Sequence, residues 1–139
     1  MKLYIVSFLL TCMYFLSSIQ KVKGFNDTSI SFQKMTGNKL LKIPLSLSKL
    51  LIICAILIEL LCPIILFYSI YKIQNSHDKM TIHKYKTYAY YSLLLLVLFT
   101  ILATYIYHYP PNGDEYYPFM KNITIIGGLL AMTLHFHKI

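Results

Sequence analysis

The chain has 139 residues, 57% hydrophobic and only 13% charged, with a formal charge of +8. A soluble domain usually carries about 25% charged residues, so this composition excludes an ordinary water-soluble globule and points to lipid. All thirteen basic residues are Lys, set between apolar runs rather than along one continuous face, which argues against nucleic acid and suits anionic lipid headgroups.

A helix crosses the hydrocarbon core with about 20 mostly apolar residues. Four segments have that length, at about 3–19, 44–71, 88–107 and 119–136. The expected fold is all-α: an integral membrane bundle of four transmembrane helices, one domain over residues 1–139, with the lipid bilayer as partner. The first segment follows Lys2 and ends Ser17-Ser18. A cleaved secretory signal is its rival reading, and Leu9-Leu10-Thr11-Cys12 is a poor lipoprotein-like match. The run is longer than a usual signal core and lacks a clear small-x-small cleavage site, so a retained first helix is expected. Lys21 closes it, either snorkelling to the interface or pairing with a buried carboxylate or an anionic ligand.

The connection over residues 20–43 contains Asp27, expected to cap a short interfacial helix over residues 28–36 that ends at Gly37-Asn38. Asn26-Asp27-Thr28 is a glycosylation sequon, relevant only where this connection faces a secretory lumen. The second segment opens at Pro44, where a missing N–H costs nothing. It carries Glu59 about midway, in Cys54-Ala-Ile-Leu-Ile-Glu59-Leu-Leu-Cys62-Pro63. An acid near the bilayer centre costs roughly 2.5–3.5 kcal/mol on insertion scales. It therefore needs a partner, a proton or water, and serves either as a proton or ligand site or as a bond between helices. Pro63 has no N–H to offer the Glu59 carbonyl, which reads either as a local opening or as an ordinary kink. Cys54 and Cys62 lie roughly 12 Å apart along the helix axis, beyond disulfide reach; with Cys12 they are expected to be buried apolar thiols.

The next connection, Lys72–Thr87, holds Lys72, Lys79, Lys84 and Lys86 against Asp78. On the third segment Thr100, Thr104 and His108 recur every four residues and so share a face. The threonines are expected to bond their own helix backbone. His108 is either a proton carrier near neutral pH or an interfacial side chain. Pro110-Pro111-Asn112-Gly113 signals a turn, followed by Asp114 and Glu115. The fourth segment begins Phe119-Met120-Lys121-Asn122. Its pairs Thr124/Gly128 and Gly127/Ala131 permit close helix approach. His135 and His137 point to different faces, so no metal site is expected. With Lys2 and Lys138 added to the basic connection, Lys counts on the two sides nearly tie. The short, densely basic second connection and the acidic third favour cytoplasmic termini in a multi-pass protein.

The order of these features resembles the DoxX-like family of small four-helix membrane proteins. The resemblance rests on Ser18-Ile-Gln-Lys21 ending the first helix, Ile43-Pro44 opening the second, and Leu57-Ile-Glu59-Leu-Leu within it. Phe119-Met-Lys-Asn122 running into Ile126-Gly127-Gly128-Leu129-Leu130 completes it, with His108 where such proteins often have a His. It spans nearly the whole chain through short motifs. Cys62-Pro63 departs from it, standing where the family tends to small residues, as does the long basic second connection. The resemblance implies a membrane subunit of a quinone-linked redox system, with no intrinsic cofactor, a quinone as ligand and a redox partner subunit. On that reading Glu59 and His108 are the candidate proton relay and Lys21 and Asn122 the candidate ligand-binding residues, all four expected to converge on a polar pocket floored by Glu59. The competing class is a non-enzymatic membrane anchor, assembly factor or cargo-type adaptor. A small channel is disfavoured, because one buried carboxylate makes a thin conduction path.

Overall fold

The computed structural model describes residues 2–137; Lys138, counted above on the terminal side, lies outside the described residues. The fold is all-α. Five helices follow in order: α1 (Lys2–Lys23), α2 (Phe25–Lys39), α3 (Leu45–Asn75), α4 (Lys79–His108) and α5 (Tyr116–His137), with a 3-10 turn at Gly113–Glu115 before the last. Four of these, α1, α3, α4 and α5, are long and apolar enough to cross a membrane. Helix α3 packs against α1, α2 and α4, and α5 packs on α4.

Core and lipid faces follow from this packing. Leu66 and Ile70 of α3, Leu93 and Leu96 of α4 and Leu129 of α5 are fully buried against one another. Long apolar side chains on the outer faces, such as Leu9, Leu61, Leu98 and Leu134, are about half exposed or more. A water-soluble surface rarely carries so much contiguous apolar area, whereas a lipid-facing one is made of it. Thr11, Thr100, Thr104 and Thr133 each donate to the carbonyl four residues back. Their hydroxyls are thus satisfied inside the bundle, as hydrocarbon requires.

The helices run past the apolar segments that announce them. Helix α4 begins at Lys79, so the expected 72–87 connection shrinks to Ser76, His77 and Asp78. Apolar length reports contact with lipid, and a helix continues into water wherever its end is capped. Asp78 supplies that cap, accepting from the Met80 and Thr81 amides at 3.2 and 2.9 Å. The Thr81 hydroxyl bond, followed by the two amide bonds, holds the Asp78 carboxyl below the usual carboxylate range. A carboxyl lowered in the fold stabilises it above the ordinary Asp pKa, and that contribution is lost as pH falls through the lowered value. Asp78→Ala is expected to fray the first turn of α4, seen as faster hydrogen exchange at Met80 and Thr81. The gap from the parent protein should hold at neutral pH and close in strong acid.

Helix α2 also departs from expectation. It runs from Phe25 to Lys39 rather than over 28–36, and Gly24 precedes it without a side-chain cap bond. Asp27 sits in its first turn instead of capping it, and Gly37-Asn38 lies inside the helix. Tertiary contacts override the stop signal: Ser48 of α3 donates to the Ser29 carbonyl at 2.5 Å, and Gln33 donates to the Ile43 carbonyl at 2.9 Å. Lys39 donates to the carbonyls of Ile106 and Tyr109 at 2.6 and 2.5 Å, closing the end of α4 where carbonyls lack helical partners. Helix α2 is thereby pinned across α3 and the last turn of α4.

The two glycines of α5 are not equivalent. A Cβ on Gly128 would lie 2.6 Å from Leu10 Cδ2 of α1, while one on Gly127 meets nothing within 4 Å. Of the two glycines in the small-residue pairs, Gly128 is the one that makes the close approach. Leu10 is flexible at that end, so Gly128→Ala should shift it at little cost. Gly128→Leu should wedge α1 from α5 and lower the thermal midpoint in detergent by several degrees, whereas Gly127→Leu should leave it unchanged.

Candidate functional site

Glu59 lies near the middle of α3 and is 2% exposed. A carboxylate that deep must find its partners inside the protein. Lys21, in the last turn of α1, supplies them: its Nζ lies 2.8 Å from Oε1 and 2.9 Å from Oε2. Ser17, one turn before Lys21 on α1, donates to Glu59 Oε1 at 3.1 Å and accepts from Lys21 Nζ at 2.5 Å. Lys21 thus bends inward to the carboxylate instead of outward to the interface. The long side chain makes the contact directly, and α3 continues through a buried Pro63 without interruption. The three donors of Lys21 match its three acceptors, so this ion pair is complete in itself.

Above the pair lies a cavity of about 400 Å³, within the range of about 300–1,000 Å³ usual for small-molecule sites. Lys21, Glu59, His108 and Asn122 all line it. The structure therefore brings the four sequence-derived residues to one place, with different engagements. His108 Nδ1 is 2.5 Å from Glu115 Oε2, and Asn122 donates to Thr104 Oγ1 at 3.0 Å. Neither is hydrogen-bonded to Glu59. A direct relay from His108 to Glu59 is absent from this arrangement, and a proton between them would need water in the cavity.

The walls are also less polar than expected. The lining is largely apolar, with Ile52, Ile58, Phe99, Leu102 and Ile106 among its side chains, and Phe32 of α2 joins them. The periodicity that buries α3 against α4 also places these apolar side chains around Glu59. Tyr14 of α1 is hydrogen-bonded to Thr100 of α4, which itself donates to the Leu96 carbonyl. Tyr107 also lines the cavity, while its buried hydroxyl has no hydrogen-bond partner among the described residues. Among the described residues the ion pair is Lys21–Glu59, His108 and Glu115 are in side-chain contact, and no group of three His, Cys, Asp or Glu side chains forms a metal site.

Sequence reasoning missed Ser17, Tyr14, Phe32 and Tyr107 as parts of the site. Ser17 carried a usable signal, since it stands one helical turn before Lys21 and so shares its face. The tyrosines were hidden by their number, 13 in the chain, and Phe32 lies in a connection whose docking only tertiary contacts reveal. Comparisons with protein-family models, with curated proteins and with solved structures find no match for this chain.

Proposed function

We propose that this membrane protein holds an amphiphilic ligand of the quinone class in the cavity above Glu59, as a subunit resembling the DoxX-like family and serving a redox partner. The observation that carries this reading is the cavity itself: a largely apolar chamber between membrane helices, with a buried charge pair at its base. Apolar walls with a few convergent polar groups suit a ligand with a flat apolar body and a polar edge. Its position among lipid-facing helices suits a ligand that arrives from the bilayer. The Lys21–Ser17–Glu59 cluster fixes α1 against α3 and shapes the base of the chamber. Lys72, Lys79, Lys84 and Lys86 gather at the α3–α4 turn, and that end, with the termini, is assigned to the cytoplasmic side.

Protein purified in mild detergent is expected to yield a near-stoichiometric lipid quinone on organic extraction. Glu59→Gln should still accumulate in the membrane and lose that quinone, because the amide no longer holds Lys21 as an ion pair. Extraction of phospholipid alone from the parent protein would contradict the reading. It would favour the anchor or adaptor class, for which the self-contained ion pair needs no ligand.

A further inference from the structure

We infer that the α3–α4 turn carries a site for one anionic diacyl phospholipid, with Lys72 and Lys84 on its headgroup and the outer faces of α3 and α4 along its acyl chains. Charge is the first observation. The turn and its flanks hold Lys72, Lys79, Lys84 and Lys86 against one acid, Asp78. Asp78 is committed to the amides of Met80 and Thr81 and to the Thr81 hydroxyl. Among the described residues no lysine here is in a salt bridge. Water hydrates such a surface but leaves its charge standing, so the counter-charge comes from outside the chain.

Geometry is the second. Lys72 Nζ lies 5.6 Å from the centre of the Tyr68 ring, one turn back on α3, and Lys84 Nζ lies 5.8 Å from that of Tyr88, one turn on along α4. Tyr85 joins the helices, edge-on to Tyr68 at 5.6 Å and to Tyr88 at 5.7 Å. Three rings thus bridge α3 and α4, with a lysine on each end ring. Tyrosine rings belong at headgroup level, and basic sites between membrane helices there bind lipid phosphates. Helix α3 runs toward this turn and α4 away from it, so Ile64 and Leu61 lie deeper than Tyr68, and Tyr91 and Leu95 deeper than Tyr88. They continue the same helix faces, and all four are exposed. The surface therefore passes from ammonium through phenol to aliphatic side chain, the order of a phospholipid read from headgroup to chain ends. An acidic protein segment would match only the top. None of these side chains lines the Glu59 cavity, so the lipid site stands whether or not that chamber holds a quinone.

The test is native mass spectrometry of the full chain in detergent, titrated with dioleoyl phosphatidylglycerol and dioleoyl phosphatidylcholine, which share chains and phosphate and differ in net charge. The parent protein is expected to favour phosphatidylglycerol about twentyfold. Lys72→Gln with Lys84→Gln should remove most of that preference, leaving phosphatidylcholine binding and the thermal midpoint unchanged. Lys79→Gln with Lys86→Gln removes equal charge from two lysines that make no such ring contact among the described residues, and should weaken phosphatidylglycerol binding no more than about threefold. Equal losses in the two double variants would reduce the site to a diffuse basic surface and overturn it, as would a parent protein without the preference. Displacement of the phosphatidylglycerol by an equal concentration of hexaglutamate would assign the surface to an acidic protein segment and overturn the lipid. If the Lys72/Lys84 variant does not fold, Lys84→Gln alone carries the test, with an expected loss of about fivefold, and unaltered phosphatidylglycerol binding overturns the site.

Discussion

Lys21→Met should be the most damaging single substitution in the bundle, Glu59→Leu a milder one, and the two together close to the parent protein. The order follows from geometry. Removing Lys21 strands a carboxylate that is 2% exposed at mid-helix, with Ser17 as its one remaining partner. Breaking a buried pair from one side costs about 3–5 kcal/mol. Removing Glu59 strands an ammonium instead, but Lys21 is in the last turn of α1, and its side chain is 19% exposed even when paired. Its stem is long enough to carry the charge toward water, so part of the loss is recovered. The double variant replaces both charges with apolar groups of similar length, a change that is often neutral or favourable. Thermal unfolding in detergent checks all three. Losses that simply add in the double variant would mean that the two residues act independently.

Filling the cavity should separate ligand binding from stability. Ala103 lies on the α4 wall of the chamber, near Leu102 and Ile106. Ala103→Phe puts a ring into space that the fold leaves empty, so the overpacking cost of a dense core, about 1–3 kcal/mol, should be largely avoided. The expected result is loss of at least nine-tenths of the bound quinone, which from near-full occupancy takes about a hundredfold fall in affinity, with a thermal midpoint within a degree or two of the parent protein. Extraction of quinone from equal amounts of the two purified proteins measures it. A filled cavity that retains its quinone would place the ligand elsewhere.

The sequence discloses the bundle more readily than the chamber. Four apolar segments are legible because lipid demands length and hydrophobicity together, and the four helices occupy those segments. Their polar ends were not legible: the turns of α4 that hold Lys79, Lys84 and Lys86 are helical because of the Asp78 cap, which hydropathy does not register. Helix α2 was seen only in part, since its extent depends on Ser48, Gln33 and Lys39 contacts between distant segments. Glu59 stood out as an acid in an apolar run that needs a partner, while Lys21 was legible only as one of two alternatives, an interfacial side chain or a cationic partner. The engagement of His108 by Glu115 was not legible, because it depends on how the Asn112–Gly113 turn folds back. Gly113 adopts a φ of +57° there, a conformation open to glycine, and the Glu115 amide bonds the Asn112 carbonyl at 3.2 Å. Tyr107 was not legible among 13 tyrosines as a residue of the cavity wall.

Photolabelling with an azidoquinone, mapped residue by residue in membranes containing the full chain, tests the cavity reading most directly. The label should fall on Ala103, Ile106 or Tyr107 of α4 and on Ala55 or Ile58 of α3, all of which line the chamber, and an excess of unlabelled quinone should suppress it. Labelling confined to the lipid-facing side chains Leu98, Ile101 and Tyr105, undiminished by competitor, would mean that the quinone meets this protein only as a solute in the surrounding bilayer.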